Sequence, residues 1–187
     1  MGKIVVTTGT MFSGKTSRLI EIAEDLRKRN ILNFSIYRPT VNIANGMGVV
    51  VTHNQLALPA KPLPNENILI NDENKYIFID SFQMLPHHYV DIVERLAVEK
   101  DKEFYLFGTR TDTNGNFQQT MCKAMSIADE IILLKAKCVE CSKDSIYNIV
   151  KEGHTLNEDI NKLNKNEEKY EPLCRRCFFK KVINKEK

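Results

Sequence analysis

A glycine-containing segment near the N-terminus has the residue types of a phosphate-binding loop. Residues 9–16 read Gly-Thr-Met-Phe-Ser-Gly-Lys-Thr and match the pattern G-x-x-x-x-G-K-[ST]. Glycines let the backbone approach a polyphosphate closely, and the loop N–H groups then face the anion. In this pattern Lys15 contacts the β and γ phosphates, and the hydroxyl of Thr16 binds Mg²⁺. The predicted nucleotide-binding residues are Gly9, Thr10, Met11, Phe12, Ser13, Gly14, Lys15 and Thr16.

A carboxylate at the end of a later apolar run is a second candidate ligand for Mg²⁺. Residues 75–80 read Lys-Tyr-Ile-Phe-Ile-Asp, which is typical of a buried strand that ends in an acidic residue. In P-loop proteins an aspartate at this place helps to hold Mg²⁺ beside the phosphates. We therefore predict that Asp80 completes a site for ATP and Mg²⁺.

Four of the five cysteines form two C-x-x-C pairs, Cys138 with Cys141 and Cys174 with Cys177. Together the pairs supply the four thiolates of a tetrahedral Zn²⁺ site, which leaves no coordination position open and predicts a structural ion. A redox role would need one such pair beside a βα turn, and disulfides are disfavoured because nothing in the sequence indicates secretion. The fifth cysteine, Cys122, is interpreted as a small buried apolar residue.

Strands and helices that alternate along the chain are predicted to position these groups. Residues 3–7 precede the glycine loop and are typical of a buried strand, and residues 18–29 have the apolar spacing of a helix. Further strands are predicted at residues 34–37, 75–80, 104–107 and 130–134, and a further helix at residues 89–96. This alternation predicts an α/β fold of the P-loop NTPase type, in which helices cover both faces of a mostly parallel sheet.

Length and composition agree with a domain of this kind followed by a smaller one. The chain has 187 residues, of which 42% are hydrophobic, enough for a real core. We predict a nucleotide-binding domain at 1–136, a zinc domain at 137–181 and a solvated tail at 182–187. The net charge of +3 is too small to indicate nucleic acid or anionic membranes as partners. No membrane-spanning run or signal peptide is recognised, so we expect a cytoplasmic protein.

These motifs, in this order, resemble the type II thymidine kinases. The segments that carry the resemblance are the glycine loop, Thr52-His53-Asn54, Phe82-Gln83 after an Ile-Asp pair, Gly-Thr-Arg-Thr-Asp at 108–112, the four cysteines and Lys169-Tyr170. The resemblance implies ATP·Mg²⁺ as phosphate donor, thymidine or another deoxynucleoside as acceptor, and a homotetramer. It implies that a loop of the zinc domain, the lasso, covers the substrate. It also implies that Met11 borders the nucleoside pocket and that Tyr170 lies in the lasso against the base.

The sequence departs from the family pattern at the position of the general base. In the family a glutamate follows the strand-end aspartate and takes the proton from the sugar 5′-hydroxyl, whereas this chain has Ser81. A serine hydroxyl does not accept that proton near neutral pH, so a contribution of about 10²–10⁴-fold to the rate is lost.

Other departures from the family pattern also fall on the acceptor and transfer chemistry. An Asp-x-Arg pair near the phosphates, a Gly-Gly pair in the lasso and two aromatic positions are replaced. Aligned by spacing, the residues at these places are Asn42, Ala44, Lys165, Asn166, Thr113 and Gln118, with Phe117 as a substitute aromatic residue that contacts the base.

Three hypotheses follow. In the first, the protein binds ATP·Mg²⁺ but has lost most or all nucleoside kinase activity and acts through an unidentified protein partner. In the second, it is a working deoxynucleoside kinase whose base has moved, with Glu73 or Asp112 as the new carboxylate. In the third, it is an ATPase-like switch unrelated to nucleosides. We rank the first above the second, and interpret the neighbouring His87 and His88 as solvated residues.

Overall fold

The computed structural model describes residues 1–39, 48–51, 57–151 and 169–182. Strands and helices alternate from residue 3 to 39 and from residue 57 to 133, and a short 3₁₀ turn, Phe82–Met84, follows the fifth strand. In chain order the elements are β1 Lys3–Thr8, α1 Lys15–Lys28, β2 Phe34–Pro39, β3 Gly48–Val51, β4 Ala57–Leu63, α2 Asn67–Ile70, β5 Tyr76–Ile79, α3 His88–Glu99, β6 Glu103–Gly108, α4 Gln119–Ile127, β7 Glu130–Leu133, β8 Tyr147–Val150, β9 Tyr170–Leu173 and α5 Arg175–Lys181.

The main sheet has seven strands in the order β3-β4-β2-β5-β6-β1-β7. Strand β3 pairs antiparallel with β4, and the other neighbours in the sheet are parallel. The antiparallel edge strand was not predicted, because its apolar run is only three valines, at 49–51. The prediction of an α/β fold with a mostly parallel sheet is confirmed.

Helices pack on both faces of this sheet because alternate strand residues point to opposite sides. On one face α1 covers Ile36, Phe78 and Phe107. On the other, α3 and α4 cover a cluster that includes Ile79 and Leu106. Since both faces are buried, the central strands are continuous apolar runs, which is the pattern expected of a parallel sheet.

A small module follows the main sheet. Strands β8 and β9 form an antiparallel pair, in which Tyr147 lies opposite Leu173. Helix α5 packs on this pair, and the rings of Tyr147 and Phe178 stack with their centroids 4.2 Å apart. These elements all lie within the segment 137–181 that was predicted as a separate domain, and residues 183–187 of the predicted tail lie outside the described residues.

None of the helices in the described ranges is long and apolar enough to cross a membrane.

Candidate nucleotide site and metal centre

The glycine loop lies at the carboxyl end of β1, where the chain turns into α1. Gly14 adopts a left-handed conformation, with φ of 86°, immediately before the helix begins at Lys15. Gly9 is tightly packed, because a Cβ atom there would lie 2.4 Å from the carbonyl oxygen of Leu134. Both glycines of the motif are therefore required by the backbone, as a loop that wraps closely around an anion needs.

The motif lysine lies over its own loop. The Lys15 Nζ donates a hydrogen bond to the carbonyl oxygen of Thr10 at 2.6 Å. This contact keeps the ammonium group beside the loop that the sequence predicts to bind phosphate. Thr16 is the second residue of α1 and is half-buried.

Asp80 lies at the same edge of the sheet, directly after β5, and its side chain is buried. Burial raises the pKa of its carboxyl group, because the charged form is poorly solvated. Arg38 and Lys15 are close enough to oppose this rise electrostatically, and the backbone N–H of Ser81 donates to the same carboxylate. Lys15 and Asp80 thus lie at the same edge of the sheet, close enough to interact electrostatically.

Arg38 is a site residue that sequence analysis missed. Its Nε atom lies 3.2 Å from Oδ2 of Asp80, and both side chains are largely buried. Arg38 stands near the end of β2, which is hydrogen-bonded to β5, so the carboxyl ends of two neighbouring parallel strands place the pair. Opposite charges at the ends of β2 and β5 would have indicated this pair, but only if the sequence had shown that the two strands are neighbours.

Ser81 occupies the position of the family's general base and turns the chain away from the sheet. Its φ of 58° is left-handed, and its carbonyl oxygen accepts the N–H of Met84 at 2.9 Å. Next in the chain, the Gln83 side-chain oxygen accepts the N–H of Thr109 at 3.2 Å. The turn after Asp80 is therefore tied to the end of β6, and a half-buried hydroxyl lies where a carboxylate was expected.

Neither alternative carboxylate is well placed to act as the base. Glu73 precedes β5, whereas Asp80 follows it. Strand β5 has four residues and is about 13 Å long, so Glu73 lies at the opposite end of the strand from Asp80. Asp112 lies at the correct edge, after β6. However, its Oδ1 accepts the N–H groups of Asn114 and Asn116 at 2.9 and 2.8 Å, and its Oδ2 accepts the Asn116 amide at 3.1 Å. Asp112 therefore organises a turn.

This turn carries the predicted aromatic residue and contacts the small module. Phe117 forms a bridge with Thr111 and is 67% exposed. Gly115 in the same turn has a φ of +86°, and a Cβ there would lie 2.8 Å from the ring of Phe178. The other replaced aromatic positions, Thr113 and Gln118, are partly buried in and beside this turn.

The four paired cysteines converge as the sequence predicts. The Sγ atoms of Cys138, Cys141, Cys174 and Cys177 all lie within 4.8 Å of one another, and none is in a disulfide. The Cys141 sulfur lies 3.5 Å from that of Cys174 and 3.7 Å from that of Cys177. Zn–S bonds of about 2.3 Å in a tetrahedron give an S–S edge of about 3.8 Å. The four residues are therefore positioned to bind a metal ion, and the set is compatible with structural zinc.

The local backbone favours a thiolate at the first cysteine. Burial raises the pKa of the Cys138 thiol, but backbone N–H groups at positions 174, 140 and 141 oppose it, and the pKa falls to about 7. Metal ligation requires deprotonated sulfur, so this environment suits the predicted role. By contrast Cys122, interpreted above as buried, lies in α4 and is only partly buried.

Two polar residues of the small module contact the glycine loop, and no local pattern indicated them. Ser145 and Asn148 are hydrogen-bonded to Thr10 and Met11 respectively. Met11 and Tyr170, the residues expected beside the nucleoside, are both partly buried, with Tyr170 first in β9. Both histidines, His87 and His88, are exposed. Four replaced positions and one matching segment noted in the sequence lie outside the described residues, namely Asn42, Ala44, Lys165, Asn166 and the segment 52–54.

Comparison with known proteins identifies the family. A family model described as thymidine kinase matches residues 2–178. The chain belongs to the thymidine kinase family. A thymidine kinase of Porphyromonas gingivalis is 28% identical over 183 residues, which cover 96% of this chain and 86% of that protein. A thymidine kinase of fowlpox virus is 29% identical over 186 residues, which cover 95% and 97%. The predicted resemblance is confirmed across both the main sheet and the cysteine module.

Proposed function

We propose that this thymidine kinase family member binds ATP·Mg²⁺ at residues 9–16 and Asp80 but phosphorylates deoxynucleosides slowly or not at all. The donor side of the site supports binding, because the glycine loop has the required backbone shape and Lys15 acts electrostatically on Asp80. Zn²⁺ at the four cysteines would be structural. The family relationship makes thymidine, or a related deoxynucleoside, the natural acceptor to test.

One observation carries the proposed loss of activity. Ser81 follows Asp80 at the edge where β5 ends, so the place of the base holds a hydroxyl. The charged side chains that act on Asp80 at this edge are both cations, Arg38 and Lys15, and neither can accept the proton. A proton acceptor of suitable pKa is worth about 10²–10⁴-fold in rate, and serine does not supply it. The positions of Glu73 and Asp112 give neither of them an evident route to that role.

A specific contact favours the alternative, an active deoxynucleoside kinase that converts ATP and thymidine to ADP and dTMP. Arg38 places a guanidinium 3.2 Å from Asp80, so a cation stands near the phosphates even though Ala44 replaces the family's arginine. Phosphoryl transfer through a loose transition state depends more on positive charge than on a strong base.

The third hypothesis, an ATPase-like switch, loses support because the family match includes the cysteine module.

The decisive experiment measures binding and turnover separately. Purified zinc-loaded protein is titrated with ATP·Mg²⁺ by calorimetry, and phosphorylation of a panel of deoxynucleosides is then followed. We expect ATP to bind and thymidine turnover to lie about 10²–10⁴-fold below the usual 1–100 per second. Thymidine phosphorylation at ordinary kinase rates would contradict the proposal and support the alternative.

Two variants at one position refine this result. Ser81→Ala should leave any residual turnover unchanged, because the hydroxyl is not the base. Ser81→Glu should restore little if the other departures also matter, since residues that act as a unit are not additive. Lys15→Ala is the negative control that reveals a contaminating kinase. A clear rescue by Ser81→Glu would indicate a single lost group in an otherwise competent site.

Assembly and acceptor contacts are further proposals that rest on the family resemblance. We expect a homo-oligomer, with a tetramer as the specific expectation, and light scattering of the purified protein tests it. Met11, Phe117 and Tyr170 are proposed to line the acceptor pocket. A protein partner and a cytoplasmic location are expected under the first hypothesis, and affinity capture from the source cell tests both.

A further inference from the structure

Two buried polar side chains of the small module are directed at the glycine loop. The hydroxyl oxygens of Thr10 and Ser145 lie 2.6 Å apart, and the N–H of Met11 donates to Oδ1 of Asn148 at 2.8 Å. Thr10 and Ser145 are 4% exposed and Asn148 is 3% exposed. Hydrogen bonds removed from water in this way are costly to break, because the partner left behind is buried and unsatisfied.

These contacts restrain Thr10 and Met11, which belong to the segment of the loop predicted to bind phosphate. The Thr10 carbonyl oxygen also accepts the Lys15 ammonium, so the loop is restrained by its own lysine as well as by Ser145 and Asn148. A phosphate-binding loop works by aiming backbone N–H groups at the anion. The N–H of Met11 donates to Asn148, and this contact fixes the peptide plane of Met11. The neighbouring N–H groups of the loop are thereby held in position to face an anion.

A short hydrogen-bonded path joins the same two residues to the cysteine cluster. The N–H of Ser145 donates to the carbonyl of Ala136 at 2.9 Å, and the N–H of Ile146 donates to Leu173 at 2.9 Å. Asn148 lies opposite Pro172 in the β8–β9 pair, and Cys174 follows that pair directly. Metal bound by the cysteines would therefore stabilise the hairpin that presents Ser145 and Asn148.

We propose that Ser145 and Asn148 are positioning residues for the phosphate-binding loop, and that metal at the four cysteines controls the order of that loop through them. The metal centre would then influence nucleotide affinity without touching the nucleotide. The affinity part rests on the proposed function. The ordering of the loop does not, because it is measurable without any nucleotide.

The first test is amide hydrogen exchange at Met11 in the metal-loaded full chain. Asn148→Ala removes the acceptor and should raise the exchange rate at Met11 by about fivefold or more, the equivalent of one net hydrogen bond. Asn148→Asp keeps an acceptor oxygen and should retain the protection. Ser126→Ala is the matched control, because its exposed hydroxyl donates only within α4. Equal Met11 exchange in wild type and Asn148→Ala, at equal zinc content, would overturn the proposal.

The second test asks whether the metal acts through these residues. Chelation of zinc should accelerate Met11 exchange strongly in wild type and add little in Asn148→Ala, because coupled changes are not additive. Met11 exchange that does not respond to zinc removal in wild type would overturn the role of the metal.

The third test measures ATP·Mg²⁺ affinity. Ser145→Ala and Asn148→Ala should each weaken binding by about three- to tenfold with zinc content unchanged, while Ser126→Ala has no effect. Unchanged affinity in both variants would overturn the link to nucleotide binding. If wild type binds no ATP, the proposed function fails, and the exchange experiments still decide whether the two residues position the loop.

Discussion

The two sides of the candidate site are supported in different ways. The donor side, defined here as the glycine loop with Arg38 and Asp80, extends from β1, β2 and β5 of the large sheet. Strands β1 and β5 contain Val6 and Phe78, which have no exposed surface. The acceptor side, defined as the turn 110–117 and the β8–β9 hairpin, carries the exposed Phe117 and the partly exposed Tyr170. Its only regular pairing in the described residues is a two-stranded sheet.

This difference indicates which structural elements stabilise each side of the site. A two-stranded hairpin has too little core to be stable alone, and here it packs against α5 and is hydrogen-bonded to the glycine loop. Metal at the four cysteines would add to this support. The donor side is stabilised by the sheet itself. Of the departures from the family pattern, Thr113 lies on this acceptor side, whereas Ser81 directly follows Asp80 on the donor side.

Loss of a metal ligand should produce the largest difference in stability between the two sides. Cys174→Ser is expected to abolish stoichiometric zinc binding and to bring the exchange protection of residues 147–150 and 170–173 close to that of an unfolded chain. Apparent zinc-binding energies in small domains are about 10–16 kcal/mol, and they are part of the folding energy. Strands β1 and β5 should keep their protection. Metal analysis and hydrogen exchange measure both effects.

The matched control for this prediction is Cys122→Ser, because Cys122 lies in α4 outside the cluster and is only partly buried. It should retain one zinc ion per chain and normal protection of the hairpin. Loss of protection in β1 and β5 of the Cys174→Ser protein would show that the two sides are not independent.

The same contrast explains what the sequence could and could not predict. The strands of the large sheet, the glycine loop and Asp80 were predictable, because each is a local pattern of apolar runs and turn residues. The cysteine cluster was also predictable from the spacing within each pair. Arg38, Ser145 and Asn148 were not, because their partners are chosen by strand order and by the docking of one module on another. Such contacts leave no period or motif in the chain.

Removal of Arg38 should be the most damaging single change on the donor side. Arg38→Met leaves the buried Asp80 carboxylate without its guanidinium at 3.2 Å, and breaking a buried pair in this way costs about 3 kcal/mol. Urea unfolding at pH 7 measures the loss. Arg38→Met with Asp80→Asn should recover part of the stability, because no uncompensated charge remains. A loss below about 0.5 kcal/mol would show that the pair is screened like a surface contact.

This variant also has a pH dependence of defined sign. Burial raises the pKa of Asp80 in the native state, so the native state binds a proton more tightly than the unfolded chain. Arg38 opposes that rise, and its removal should raise the pKa further. The destabilisation of Arg38→Met relative to the double variant should therefore shrink as the pH falls from 7 toward the ordinary carboxyl pKa of about 4. A gap that widens on acidification would contradict the assignment.

A smaller effect is expected on binding when the motif lysine is removed. Lys15→Ala should weaken ATP·Mg²⁺ binding by about 10- to 100-fold, the range for hydrogen bonds to charged groups, while thymidine affinity changes by less than about twofold. Calorimetry with each ligand separates the donor side from the acceptor side. Lys28→Ala, an exposed change in the last turn of α1, is the control and should leave both affinities unchanged. Equal ATP affinity in wild type and Lys15→Ala would remove the donor site from residues 9–16.

The smallest effect on stability is expected at Phe117, where the acceptor side can be probed without disturbing the fold. Its side chain is 67% exposed, so Phe117→Ala should change the free energy of unfolding by no more than about 0.5 kcal/mol. If the ring stacks on a base, thymidine affinity should nevertheless fall by about three- to tenfold, since an aromatic contact is worth about 0.5–1.5 kcal/mol. Leu32→Ala, at 69% exposure, is the control for loss of an exposed apolar side chain and should leave thymidine affinity unchanged. The opposite pattern, a stability loss above about 1 kcal/mol with unchanged thymidine affinity, would mean that Phe117 supports the turn. The acceptor side would then lack an aromatic contact at this position, which would strengthen the case that nucleoside phosphorylation has been lost.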